Sequence, residues 1–293
     1  WEAFMDPRVY PTGQRPSPTA LFEGMQQVQQ TWGSTSTGAS GLGQWTPEGP
    51  FNGNPIGGIG RINVLAFHPT APNTIFAGAP AGGLWKSTDN GTTWSTNTDL
   101  LPNLGVSGIA IDPMHPDTMY IATGDRDGGD TYSIGVLKSV DGGETWKPTG
   151  LTLQLTNYAR LTGMVIHPTQ TQHLVVSSRA GIYRTTDGGA NWTITQGGSF
   201  QSLTSTPGAP HLLYAGTESN GKVWFSRNFG QNWTVLTGAS GLPANGPARC
   251  EVATTAADTN YVYALFGANN SGLYGVYRST NKGVTWSQMH GST

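Results

Sequence analysis

The chain has one cysteine, Cys250, in 293 residues. No internal disulfide can form, and a lone cysteine within a strand-like run reads as a small core residue. Charge is scarce as well. Asp, Glu, Lys and Arg make up 11% of the chain, well under the usual quarter, and the formal net charge is −2. That balance excludes a global field drawing the protein to nucleic acid or to a membrane surface. No apolar run approaches the roughly 20 residues of a membrane helix. From the Gly/Ser/Thr-rich stretch at 33–43 onward, helical periodicity is missing too. No phosphate loop, nucleophile elbow or zinc pair occurs. Gly, Ser, Thr and Asn take the place of the missing charge, a turn-rich composition that suits an exported protein. The start at Trp1 rather than Met carries the expectation of a removed leader.

What the chain does have is a repeat. "KSTDNGTTWS" places Ser87, Asp89, Gly91 and Trp94 in a fixed order. "KSVDGGETWK" repeats it with Asp141, Gly143 and Trp146, and "RTTDGGANWT" with Asp187, Gly189 and Trp192. "FSRNFGQNWT" gives Asn228, Gly230 and Trp233, and "RSTNKGVTWS" gives Asn281, Gly283 and Trp286. The tryptophans are 52, 46, 41 and 53 residues apart, a period of blades or solenoid turns. Three short β-branched and aromatic runs precede each box, as in "VSGIAIDP", "DTMYIATG" and "IGVLKS". A fourth run starts at the box tryptophan. Four antiparallel strands per unit, repeated, predict an all-β fold, a β-propeller with five full blades within a larger ring.

Each box then falls on the hairpin between third and fourth strands. Asp or Asn accepts backbone N–H bonds within the turn. Gly two residues on supplies positive φ, and Trp buries its face between neighbouring sheets. Two boxes carry Asn in place of Asp, which keeps the acceptor oxygen and loses the charge. Catalysis and tight calcium binding are thereby excluded as the common purpose, and the five boxes read as structural.

The boxes resemble the Asp-box, or bacterial neuraminidase repeat, of sialidases, xyloglucanases and sortilin-type propellers. The resemblance covers residues 44–293, and "FHPTAPNTIFAGAPAGGLWKSTDNGTTW" is most similar to the sortilin and xyloglucanase group. Similar chains are common among secreted proteins of gliding, polymer-degrading bacteria, often with a C-terminal sorting domain. The resemblance therefore implies a secreted or cell-surface β-propeller.

Residues 1–43 read as an N-terminal extension. Ser17 and Pro18 start one short helix, with Leu21, Phe22, Met25, Val28 and Trp32 on a stripe, and a Gly/Ser/Thr linker follows. Trp45-Thr46-Pro47 echoes Trp146-Lys147-Pro148 and reads as an orphan fourth strand. From it we expect a chain that continues into further blades, or else an extra edge strand at Trp45.

The unusual polar residues gather on the rim opposite the boxes. Arg61 and Arg160 stand seven residues before His68 and His167, and Arg249 holds nearly the same place in the fifth unit. Tyr158, Glu218 and Glu251 fall on the same side. These six form the candidate ligand face, where arginines could clamp a carboxylate or acidic sugar, or simply bond loop carbonyls and neighbouring acids. In "TGDRDGGDTYS", Asp125, Asp127 and Asp130 partly match a calcium loop, and equally a self-stabilised turn or a donor set for sugar hydroxyls. His68 and His167 precede Pro where Asp112 and Thr206 stand in other units, so they read as structural. Trp85, Tyr132, Tyr158 and Trp224 supply possible sugar-stacking faces.

Three functions follow as expectations. One is a noncatalytic glycan- or protein-binding module. Another is a scaffold or assembly subunit, self-associating through residues 1–43. The third is a glycoside hydrolase. In xyloglucanase-like enzymes the resemblance implies a catalytic Asp between second and third strands, but Ala79-Pro80 stands there. The sialidase reading would use Arg61, Arg160, Arg249, Tyr158 and Glu251 and lacks the accompanying "RIP" stretch. No cofactor other than calcium is implied.

Overall fold

The computed structural model describes Glu23, Gln27 and residues 60–244, 247–270 and 272–291. Glu23 and Gln27 are helical and exposed. The rest of the expected N-terminal helix, the linker and the Trp45 strand lie outside the described residues.

Five four-stranded antiparallel sheets follow one another along the chain. Blade 1 is β1 (Val64–Phe67), β2 (Ile75–Gly78), β3 (Leu84–Ser87) and β4 (Ser95–Thr96). Blade 2 is β5 (Val106–Ile111), β6 (Met119–Thr123), β7 (Gly135–Ser139) and β8 (Lys147–Thr152). Blade 3 is β9 (Leu161–Ile166), β10 (Leu174–Ser178), β11 (Gly181–Thr185) and β12 (Thr193–Gly197). Blade 4 is β13 (Phe200–Thr206), β14 (Ala209–Thr217), β15 (Val223–Ser226) and β16 (Thr234–Leu236). Blade 5 is β17 (Arg249–Thr254), β18 (Val262–Gly267), β19 (Leu273–Ser279) and β20 (Ser287–Gly291). Each fourth strand starts one residue after its tryptophan rather than at it. The first strands β1, β5, β9, β13 and β17 pack in succession, which sets the blades radially. The expectation of a β-propeller is met.

Strand alternation divides the core between junctions. In β6, Met119 and Ile121 face blade 1 while Tyr120 and Ala122 face blade 3, and all four are fully buried. A large apolar side chain so buried contributes about 1.5–3 kcal/mol. Cys250 lies in the junction of blades 4 and 5, where burial pushes its thiol pKa up, as suits an inert core residue. At the two ends of the series the outward faces are open. Leu65 and Phe67 of β1 and Tyr263 and Leu265 of β18 are exposed, although their counterparts at inner junctions are covered.

The boxes behave as one device. Ser87 Oγ donates to Asp89 Oδ1 at 2.8 Å and accepts from the Gly91 N–H at 2.8 Å, while the Thr93 N–H donates to Asp89 Oδ1 at 2.9 Å. Asn281 does the same work, accepting from Ser279 Oγ at 2.9 Å and from the Thr285 N–H at 2.8 Å. The conserved geometry needs positive φ at the box glycine, from 74° at Gly230 to 90° at Gly189. The residue before it is left-handed too, including Phe229 and Lys282, a strain the sequence pattern did not reveal.

The carbonyl of that left-handed residue is what the preceding blade holds. Lys86 Nζ donates to Gly142 O at 3.4 Å, Tyr120 Oη to Gly188 O at 3.2 Å, Arg184 Nε to Phe229 O at 2.9 Å and Tyr214 Oη to Lys282 O at 2.8 Å. All four junctions thus carry a clip from blade to next box. The tryptophans vary more than expected. Trp286 is buried, but Trp94 of the first box is 38% exposed, so burial between sheets is not general. Blade 1 has no preceding blade among the described residues.

The residue before Pro, which opens the loop between first and second strands beside each box, is structural as well. His68 and His167 use Nδ1 to accept backbone N–H bonds from Ala71 and Gln170, both at 3.0 Å. Asp112 Oδ1 accepts from Met114 N–H at 2.8 Å in the same place.

Candidate functional site

Opposite the boxes, one loop organises the rim. Residues 124–131 leave β6 and touch every blade. Thr131 Oγ1 donates to Pro80 O of blade 1 at 2.6 Å. Arg61, just before β1, bonds Asp125 Oδ2 at 2.6 Å and Asp130 at 3.5 Å. The Asp125 side chain is fully buried, and its other oxygen accepts from the Asp127 N–H at 3.1 Å. Asp127 Oδ1 accepts from Gln201 Nε2 of blade 4 at 2.9 Å and from Arg249 Nη2 of blade 5 at 2.6 Å. Arg126 bonds both oxygens of Glu251 at 3.1 Å. Two glycines let the loop pack this closely: a Cβ on Gly129 would stand 3.2 Å from Arg160 Nη2, and one on Gly128 would lie 2.4 Å from Asp125 Oδ2.

The six expected face residues therefore separate. Arg61, Arg249 and Glu251 are joined through the loop in one ion-pair network. Glu218 stands beside it, bound by Arg179 Nη2 at 2.5 Å and by Ser199 Oγ at 2.7 Å. Arg160 and Tyr158 form a second cluster with Tyr132. The Arg160 guanidinium lies over the Tyr132 ring at 5.5 Å, and Tyr158 meets Tyr132 edge-on at 5.0 Å and 87°. Tyr158 ends a short turn at Leu155–Asn157, has φ 53° and is 58% exposed. A bulky aromatic held left-handed in solvent is an outlier of the kind that accumulates at ligand sites.

Of the other aromatics, Trp224 packs against Phe200 at 6.2 Å, and Trp85 bonds Gly82 O through Nε1 at 2.8 Å. Asp125, Asp127 and Asp130, the expected calcium loop, each turn a carboxylate to an arginine. Among the described residues, no group of three acids, histidines or cysteines is disposed to hold a metal ion.

Sequence reasoning missed Arg126, Arg179 and Gln201. Arg126 sat inside the acidic loop whose acids drew attention, and its neighbours' spacing was read for a cation. Gln201, fully buried at the head of β13, sits in a strand whose sequence, FQSLTST, is mostly polar, so nothing in that run set it apart. Ala79 and Pro80 fall between β2 and β3 as expected, so the place that would hold a catalytic acid holds none.

No helix among the described residues is long and apolar enough to cross a membrane. Comparison with known proteins places the geometry in context. The family model for sortilin, neurotensin receptor 3 (Sortilin-Vps10) matches residues 82–196. A xyloglucanase from Acetivibrio thermocellus is 28% identical over 247 residues, covering 80% of this chain and 26% of that protein. A xyloglucanase from a Paenibacillus species is 25% identical, covering 89% of this chain and 22% of its own length. The chain thus spans about a quarter of these relatives. Among solved structures, an ancestral GH74 enzyme superposes with TM-score 0.62 at 22% identity over 80% of this chain and 33% of that one. The GH74 xyloglucanase from Xanthomonas campestris gives 0.59 at 19% identity, over 78% and 38%. Blades, boxes and relatives agree: the chain is a sortilin- and xyloglucanase-like β-propeller of the Asp-box type.

Proposed function

We propose that this chain is a noncatalytic, polysaccharide-binding propeller module of an extracellular protein, and that it binds through the rim opposite the boxes. One observation carries the reading. Tyr158 is a solvent-exposed aromatic fixed in a strained left-handed conformation, edge-on to Tyr132, beside acids already committed to arginines. An exposed ring offers a flat apolar face to a sugar, while the paired acids offer little to a glycosidic bond. A general acid needs a carboxyl kept neutral against an apolar wall, and each acid of this rim has a cation against it. The absence of an acid at Ala79-Pro80 supports the same reading, and the xyloglucanase relatives support polysaccharide as the ligand class.

Affinity electrophoresis through gels containing soluble plant polysaccharides tests it. The intact chain is expected to be retarded, Tyr158→Ala to run freely, and neither to release reducing ends. Equal retardation of both proteins would refute the assignment to Tyr158.

A hydrolase is the second reading, favoured by one specific geometry. Arg249 Nη2 lies 2.6 Å from both Asp127 Oδ1 and Glu251 Oε1, which brings two carboxylates to one place as a glycosidase needs, with a separation no larger than that of a retaining pair, about 5 Å. Release of reducing ends from xyloglucan, abolished in Glu251→Gln, would establish it over the binding module.

A further inference from the structure

The rim arginines are not equivalent. Arg61 is neutralised by Asp125 and Asp130, Arg126 and Arg249 by Glu251 and Asp127, and Arg179 by Glu218. Arg160 has no carboxylate partner among the described residues, and its Nε, like those of Arg126 and Arg179, is buried without a bond. Its guanidinium rests instead on Tyr132, the ring that Tyr158 meets edge-on. An uncommitted cation therefore stands beside the exposed aromatic, with five acids of the same rim turned to other arginines. Those pairings leave no carboxylate among the described residues paired with Arg160.

Resting on the binding function proposed above, we infer that the ligand is an acidic polysaccharide: a sugar ring lies against Tyr158 while a uronate carboxylate of the same chain pairs with Arg160. Successive separations of 5.0 Å and 5.5 Å between Tyr158, Tyr132 and Arg160 put platform and cation within the reach of neighbouring sugar units. The planar guanidinium matches a carboxylate with two parallel N–H donors, and stacking on Tyr132 fixes its plane in advance. Lysine would keep the charge and lose the fork. A neutral β-glucan would find the Tyr158 platform and leave the cation unanswered.

The test compares polygalacturonate with neutral xyloglucan, using the whole chain in affinity electrophoresis at low and high salt. Polygalacturonate is expected to bind more tightly than xyloglucan and to lose its advantage as salt rises. Arg160→Gln should weaken polygalacturonate binding about tenfold, the scale of one charge-assisted contact, and leave xyloglucan binding unchanged. Arg160→Lys should recover part of the loss. An unchanged thermal midpoint in Arg160→Gln separates this from a role in which Arg160 merely supports Tyr132. Xyloglucan bound as tightly as polygalacturonate, or Arg160→Gln binding polygalacturonate like the parent, overturns the inference and leaves the binding module standing. Binding of neither polymer by the parent chain overturns both.

Discussion

The two rims of this propeller are built on opposite plans. On the box rim, five hairpins repeat the same short-range bonds, each within four residues, and one clip ties each of the last four to the blade before. On the other rim a single loop of blade 2 reaches blades 1, 4 and 5 through contacts between residues 51 to 125 positions apart, and packs against Arg160 at the entry to blade 3. The repeated rim tolerates Asp or Asn at its central position because only an acceptor oxygen is needed. The unrepeated rim uses charges that pair in one combination. Repetition marks what holds the sheets, and departure from repetition marks the rim for which we propose a ligand.

The largest expected effect lies on the box rim. The Gly150 N–H donates to Gly189 O of the next box at 2.8 Å, and a Cβ on Gly150 would stand 2.1 Å from Ala190 O. Gly150→Val should therefore pry blades 2 and 3 apart and cost roughly 3 kcal/mol, read from chemical denaturation. An unchanged midpoint would show that the box does not seat on the neighbouring blade. Arg61→Ala comes next. It leaves the buried Asp125 carboxylate without its cation, a loss of roughly 1–3 kcal/mol once the 42% exposure of Arg61 is allowed for. Stability equal to the parent would mean that the loop 124–131 is held without it.

Acid separates the boxes from one another. Side-chain hydroxyl bonds from Thr93 and Thr145, and the backbone N–H of Asn191, lead the contacts that hold Asp89, Asp141 and Asp187 at about 2, below the ordinary 3.8. A carboxyl lowered in the folded state contributes stability in full above 3.8 and loses it as pH falls to about 2. Amide exchange protection at Thr93, Thr145 and Asn191 should drop across that window. Asn228 and Asn281 do not titrate, so Asn232 and Thr285 should keep theirs. Parallel loss in all five boxes would contradict the local account. The smallest effect is Tyr158→Gly, which relieves the φ of 53° and should raise stability by up to about 1 kcal/mol while abolishing polysaccharide binding. Lowered stability would make Tyr158 a structural residue.

The fold was legible because it repeats. Five boxes with one internal spacing and three strand runs ahead of each fix a four-stranded blade without any long-range information. The αL residue before each box glycine was hidden because Asn90, Gly142, Gly188, Phe229 and Lys282 share no side-chain chemistry; what recurs is backbone, an N–H given to a carbonyl of the same blade in all five and a carbonyl clipped by the preceding blade in the last four. The rim was half legible. Register placed Arg61, Arg160 and Arg249 on one side, but which arginine takes which acid depends on how the 124–131 loop lies against blades distant in sequence. Spacing within "DRDGGD" suggested a cation loop, whereas Arg61 and Arg249, distant in sequence, supply the positive charge.

The most direct measurement of this division of labour pairs two substitutions in one polysaccharide titration. Tyr158→Ala should lose binding with the denaturation midpoint intact, and Asp141→Asn, which keeps the box acceptor oxygen, should bind like the parent. Binding lost in Asp141→Asn and retained in Tyr158→Ala would place the ligand on the box rim and contradict the account.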